Sequence, residues 1–266
     1  MNVLFVWGIL LVVGVVYMSS SEEKVINYYV LCNRLKNVIR TGWKDWHVNR
    51  ERVESIAEHV FGVQMLAIAM KSEYKYDLDI MKVIYMLAIH ELGEAVIGDL
   101  TQFQIEAHEK EKIEHEAVHN ILKDMLDGEE IEKLFLEFDA HETKEAQFAY
   151  QCDKLECDLQ CRLYDQEGCV DLTKQEGNKT FDKVKDMFDA GLNWSEMWLE
   201  FGRGKYPYDA NFKAVSLYAE NNILKEASIF SEEKSAWFLK EEIWFVLYFS
   251  FLISTCKMEL DKYLKI

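Results

Sequence analysis

The stretch Ile89-His90-Glu91-Leu92-Gly93-Glu94-Ala95-Val96-Ile97-Gly98-Asp99 sets an imidazole beside a carboxylate at the end of an apolar run. A second carboxylate follows one helical turn later, and a third stands just past a glycine. Imidazole nitrogen and carboxylate oxygen are ligands for divalent ions, and carboxylates near such an ion carry protons. Packing gains nothing from them, because an unpaired charge in apolar surroundings is strongly unfavourable. Matching ligand types stand elsewhere: His59 near the start of one predicted helix and Asp153 within another. His59, His90, Glu91 and Asp153 make a mixed nitrogen and oxygen set, which suits Mn, Co, Fe, Ni or Zn better than Mg. Any one of these residues alone is an ordinary surface or capping group; the linked pattern carries the weight.

The elements that must position these groups are helices. The 266-residue chain is half apolar and has one proline and twelve glycines, a balance that predicts an all-α protein with a substantial core. Apolar spacing places helices over Glu22–Ile39, Val53–Met70, Ile80–Ile89, Ile105–Leu126, Ile131–Phe138, Lys144–Tyr164, Phe181–Phe201, Phe212–Glu226 and from Glu232 onward. Thr41-Gly42 should end the first of them, leaving the polar and aromatic Arg40–Arg50 as a loop. Ile80–Ile89 is apolar on nearly every side and belongs in the middle of a bundle. The His115/His119 pair reads as part of a solvated face, the Cys157/Cys161 pair as buried thiols, and Trp194 with Trp198 as core.

Charge and composition narrow the function. A net charge of -17 with no basic block opposes binding to large nucleic acids, yet leaves room for a small nucleotide met by a metal and a few cations. Six cysteines without a CxxC pair read as reduced thiols of a cytoplasmic protein rather than a disulfide framework. Residues 3–17 form an uninterrupted apolar run, expected to be either a short membrane tether or the consequence of a start assigned upstream of Met18. The expected organisation is residues 1–17 as this segment, 18–205 as the main domain and 206–266 as a helical extension. The apolar stretch 243–253 is expected to be a packed core helix.

Three separated motifs carry a resemblance: Glu54-Ser55-Ile56-Ala57-Glu58-His59, then His90-Glu91 through Glu94 with Gly98-Asp99, then Asp153-Lys154-Leu155-Glu156. In order and spacing they resemble the HD-domain phosphohydrolases, in particular the 5'-deoxynucleotidase-like branch, over about residues 22–170. The resemblance implies an α-helical HD-domain bundle with one divalent metal ion held by His59, His90, Glu91 and Asp153. It implies that Glu94 positions or deprotonates the attacking water, that Asp99 assists at the nucleotide or leaving group, and that Arg40 and Trp43 contact phosphate and sugar. It also implies a homodimer. Glu91 departs from the family's aspartate by one methylene, about one bond length of extra reach. The expected activity is release of the 5'-phosphate from (deoxy)nucleoside monophosphates. The alternatives are hydrolysis of a triphosphate, cyclic dinucleotide or alarmone, and metal-bound nucleotide sensing without turnover.

Overall fold

The computed structural model describes residues 20–101 and 103–225, and every statement of structure concerns those residues. The apolar segment 3–17 and the helices expected beyond Glu232, including 243–253, lie outside them. Along the described chain run α1 (Ser21–Cys32), α2 (Thr41–Asp45), α3 (Ile56–Tyr74), α4 (Ile80–Ile89), α5 (Glu94–Ile97) and α6 (Ala107–Leu122). They are followed by α7 (Gly128–Ala140), α8 (Lys144–Gln166), α9 (Lys179–Asp189), α10 (Trp194–Lys205) and α11 (Ala210–Asn221). The protein is all-α. Among the described residues the β structure is a single antiparallel bridge between Ile39 and Ser55.

Local chemistry opens most of these helices. Short polar side chains accept from otherwise unpaired first-turn amides: Ser20 for α1, Asp79 for α4, Thr143 for α8, Asn178 for α9 and Asp209 for α11. Ser55 and Glu58 form a reciprocal capping box at the head of α3, one residue before His59. The site-bearing helix therefore starts at a fixed point.

The long α8 is the axis of the fold, with α3, α4, α7, α10 and α11 against it. Val63, Ala67 and Met70 of α3 meet Val83, Met86 and Leu87 of α4, Ala149, Cys152 and Leu155 of α8, and Phe212 of α11 in one core. A second core gathers Trp43, Trp46, Tyr164, Trp194 and Met197. Burying a side chain of this size contributes about 1.5–3 kcal/mol before entropy is set against it.

Several elements differ from the sequence expectation. The first helix stops at Cys32 and passes through a 3₁₀ turn, Asn33–Lys36, because Ile39 leaves to bridge with Ser55. Thr41-Gly42 begins α2 rather than ending a helix. The start of α7 at Gly128 likewise precedes the expected Ile131. The single helix expected over 181–201 is two, since Gly191 turns the backbone to φ +97° and Asn193 with Glu196 caps a new start. Although α4 has the expected bounds, it is not apolar-packed all round: Met81 and Tyr85 face outward. Residues expected to belong to a C-terminal extension, Tyr208 and Phe212, are buried in the main core, and the compact unit runs through Asn222. No described helix is long and apolar enough to cross a membrane.

Because Phe212 is fully buried in this core, Phe212→Ala should cost about 3–5 kcal/mol in denaturant unfolding. A loss below about 1 kcal/mol would show α11 to be peripheral.

Candidate metal centre

His59 sits on the first turn of α3, fully buried, with both ring nitrogens engaged by α8. Its Nδ1 lies 2.6 Å from Glu156 Oε2, and its Nε2 3.1 Å from Asp153 Oδ1. Asp153 and Glu156 are three apart, so the α-helical period puts both on the face toward α3. Gly62 gives the Glu156 side chain room, because a Cβ there would overlap its carboxylate. A carboxylate on the far nitrogen fixes the imidazole's orientation and leaves Nε2 aimed inward.

His90 caps the C-terminal end of α4 and points back at the same spot. Its Nδ1 donates to the Leu87 carbonyl at 2.8 Å, so Nε2 carries the lone pair. That Nε2 is buried without a hydrogen-bond partner. Glu91 Oε1 stands 3.6 Å from His90 Nε2 and 3.7 Å from His59 Nε2, and Asp153 Oδ1 stands 3.9 Å from His90 Nε2. The four residues offer ligand atoms that all lie within 4.8 Å of one another. Two inward imidazole nitrogens, two carboxylate oxygens and an orphaned lone pair fit a divalent transition ion. The longer glutamate at 91 still reaches the ring.

The electrostatics agree with that arrangement. Burial and Arg40 pull the His59 pKa down, but the carboxylates of Asp153 and Glu156 outweigh them and push it up to about 9. Burial pulls His90 down, keeping it neutral. Burial would raise the Asp153 carboxyl, yet Lys154 and the hydrogen bond from His59 hold it well below the usual carboxylate range.

Glu94, on the first turn of α5, is 2% exposed. Its Oε1 accepts from Lys110 Nζ of α6 at 3.2 Å, while Oε2 is buried and unpaired. Burial, reinforced by Glu91 and Asp99, pushes its pKa up to about 10. Arg40 lies across the ring, with Nη1 donating to Glu91 Oε1 at 3.3 Å and Nη2 to Cys157 Sγ at 2.9 Å. Asp99 holds that loop in place: its Oδ2 accepts from the Thr41 amide at 2.5 Å, and its carbonyl from Thr41 Oγ1 at 2.7 Å.

Trp43, expected to contact the sugar, is placed differently. Its ring is buried against Tyr164, Trp194 and Trp198, and its Nε1 donates to Glu54 Oε2 at 2.7 Å. It braces the segment from behind. Glu156, Lys154 and Lys110 were not among the expected site residues. Glu156 was legible as the residue three after Asp153; Lys154, whose Nζ is 2.7 Å from Asp153 Oδ2, lay within the same motif. Lys110 had no local signal, since it arrives from another helix. His115 and His119 pair with Asp139 and Glu132 on a largely exposed face, as expected. Trp194 is core, whereas Trp198 is only partly buried.

A family model described as HD domain matches residues 32–197, more than half of the chain, and that span contains all four residues of the ring. The chain belongs to the HD-domain family. Among curated relatives, this HD-domain chain is 29% identical over 205 residues to a 5'-deoxynucleotidase HDDC2 of Dictyostelium discoideum, covering 74% of this chain and 97% of that protein. It is 28% identical to 5'-deoxynucleotidase hdd1 of Schizosaccharomyces pombe, over 56% of this chain and 76% of that one. The human 5'-deoxynucleotidase HDDC2 is 25% identical, with 65% and 79% covered. A solved structure of a conserved hypothetical protein from Pyrococcus furiosus aligns at a TM-score of 0.49 and 26% identity, covering 62% of this chain and 97% of that one.

Two outcomes follow from this geometry. Glu156→Gln should weaken metal binding about 10–100-fold in a competition titration while the protein stays folded, because it loosens the orientation of His59. In metal-free protein, Glu54 and Glu114 with pKa values of about 7, His59 at about 9 and Glu94 at about 10 all hold protons that the unfolded chain releases at lower pH. Each raised value contributes stability that is lost as pH rises from the unfolded pKa toward the folded one. Thermal melting should therefore fall steadily between about pH 6 and about pH 9; a flat or rising profile would contradict the burial of these groups.

Proposed function

We propose that this HD-domain protein is a metal-dependent phosphohydrolase that removes the 5'-phosphate from nucleoside monophosphates, with deoxyribonucleotides as the preferred class. The observation that carries the reading is the buried ring of His59, His90, Glu91 and Asp153 with the partnerless His90 Nε2 turned into it. The named activity of the relatives supports the substrate class. These four residues would hold one ion of the Mn, Co, Fe, Ni or Zn group. When bound, such an ion acts as a Lewis acid on a phosphoryl oxygen and lets water attack at neutral pH.

The remaining work falls to the chain's own groups. Glu94 Oε2, buried and without a partner, is available to hold or move the proton of the attacking water, while Lys110 fixes the other oxygen. Arg40 presents a planar guanidinium at the ring and can fork onto two phosphate oxygens in place of its contacts with Glu91 and Cys157. Lys154 Nζ, paired with Asp153, adds a second cation. Asp99, through Thr41, holds Arg40 in register, so its part in turnover is exerted on the arginine as well as on the nucleotide.

A cytoplasmic homodimer completes the proposal. The five described cysteines are free thiols, which supports the compartment. Val25, Ile26, Tyr29 and Val30 leave an apolar stripe exposed on α1, which supports a partner surface.

The test is phosphate release from ribo- and deoxyribonucleoside 5'-monophosphates by metal-stripped protein refilled with each ion. Deoxyribonucleotides should turn over fastest, and Glu94→Gln should lower kcat about 10²–10⁴-fold while retaining the ion. Release of pyrophosphate from triphosphates instead, or retention of a nucleotide response by an inactive protein, would contradict the reading.

A further inference from the structure

A cavity of 410 Å³ lies among α2, α8, α9 and α10, within the size range of small-molecule sites. Its walls include Phe103, Trp198, Phe201 and Tyr206, with Lys183 and Lys205 in the lining. Three segments that carry the metal centre also line it. Gly42 comes two residues after Arg40, Thr101 two after Asp99, and Asp158 five after Asp153 along α8. Five residues of helix rise about 7.5 Å, so the cavity lies between one and two turns along α8 from the centre.

We propose that this cavity is the base pocket of the nucleotide site and that it selects oxo bases, guanine above thymine and uracil, over adenine and cytosine. The nucleotide part of this inference rests on the phosphohydrolase reading. Aromatic walls accept any base, since every base has a π-face. Trp198 is a firm wall, stacked on the buried Trp43 with centroids 5.4 Å apart and planes 29° apart. Selectivity comes from the polar lining. The Lys183 ammonium lies 4.6 Å from the Phe103 ring centre, and the Lys205 ammonium 5.2 Å from Phe201 and 5.5 Å from Tyr206.

An ammonium only donates. Guanine offers O6 and N7 to it as adjacent acceptors and thymine or uracil offers carbonyl oxygens, whereas adenine sets an amino donor beside N7 and cytosine one beside N3, so two neighbouring ammonium groups find fewer acceptors and meet a donor. Lys205 is pushed below its ordinary pKa by burial and by Lys154 and Lys183, so the three ammonium groups gather locally in a chain of net charge -17. Of the lining carboxylates, Asp158 accepts from Tyr208 Oη at 2.9 Å, and burial raises its pKa to about 8. Asp45 is left to accept from the N1–H and amino group that guanine alone presents together.

Calorimetric titration of the metal-loaded, full-length protein with deoxyguanosine, thymidine, deoxyadenosine and deoxycytidine tests this. Deoxyguanosine and thymidine should bind at least about fivefold more tightly than the other two, and Lys205→Met should bring all four within about twofold. No binding of any nucleoside, equal affinities, tighter deoxyadenosine, or an unchanged preference in Lys205→Met and Lys183→Met alike would overturn the proposal. Because nucleosides carry no phosphate, the two readings fail separately. The expected preference in a protein that releases no phosphate would contradict the hydrolase alone, and phosphate release with equal nucleoside affinities would contradict the pocket alone.

Discussion

His59 joins the two helices on which the centre is built. One imidazole nitrogen is held by Glu156 and the other faces Asp153, at 2.6 and 3.1 Å, so the ring spans the contact between α3 and α8. The placement follows from local rules on both sides: the Ser55–Glu58 capping box fixes where α3 begins, and the spacing of 153 and 156 fixes which face of α8 looks back. Gly62 leaves the space that the Glu156 carboxylate occupies. His90 and Glu91 then need only the end of α4, where the helix stops and its last side chains turn toward the same point.

The cost of the arrangement is electrostatic. Glu91, Glu94, Glu114 and Asp153 crowd a space that excludes most water, in a chain already carrying a net charge of -17. Arg40, Lys110 and Lys154 are drawn in from three different elements to offset part of that charge. Protons supply the rest, on His59 and on Glu94, whose pKa values are pushed to about 9 and about 10. A divalent cation would displace the proton from His59 and lower the demand for one on Glu94. The tendency to hold protons and the tendency to hold a metal are thus two expressions of one excess of buried negative charge.

Much of this was legible in the order of residues, for identifiable reasons. His59, His90, Glu91 and Asp153 are bland one by one and legible only as ligand types in linked motifs that resemble those of the HD-domain phosphohydrolases, and their convergence needs only three helices to pack. The bounds of α4 and the start of α8 were set by Asp79 and Thr143, which act on their immediate neighbours. The break at Gly191 was also written locally, as a glycine followed by an Asn193–Glu196 cap, but the aromatic spacing across 181–201 reads as continuous. Trp43 is different: nothing near it reveals that Tyr164 and Trp198, more than a hundred residues away, will bury it. Lys110 and the aromatic cavity depend on similar long-range packing, which no local period encodes.

The central claim is that one ion binds among His59, His90, Glu91 and Asp153. Anomalous diffraction from crystals grown with Co or Mn, collected on both sides of the metal's absorption edge, addresses it most directly. The account requires a single strong peak about 2.0–2.3 Å from donor atoms of all four residues. A peak at the Glu111, His115 and Asp139 group instead, or full occupancy with Glu91 turned away toward Arg40, would contradict it.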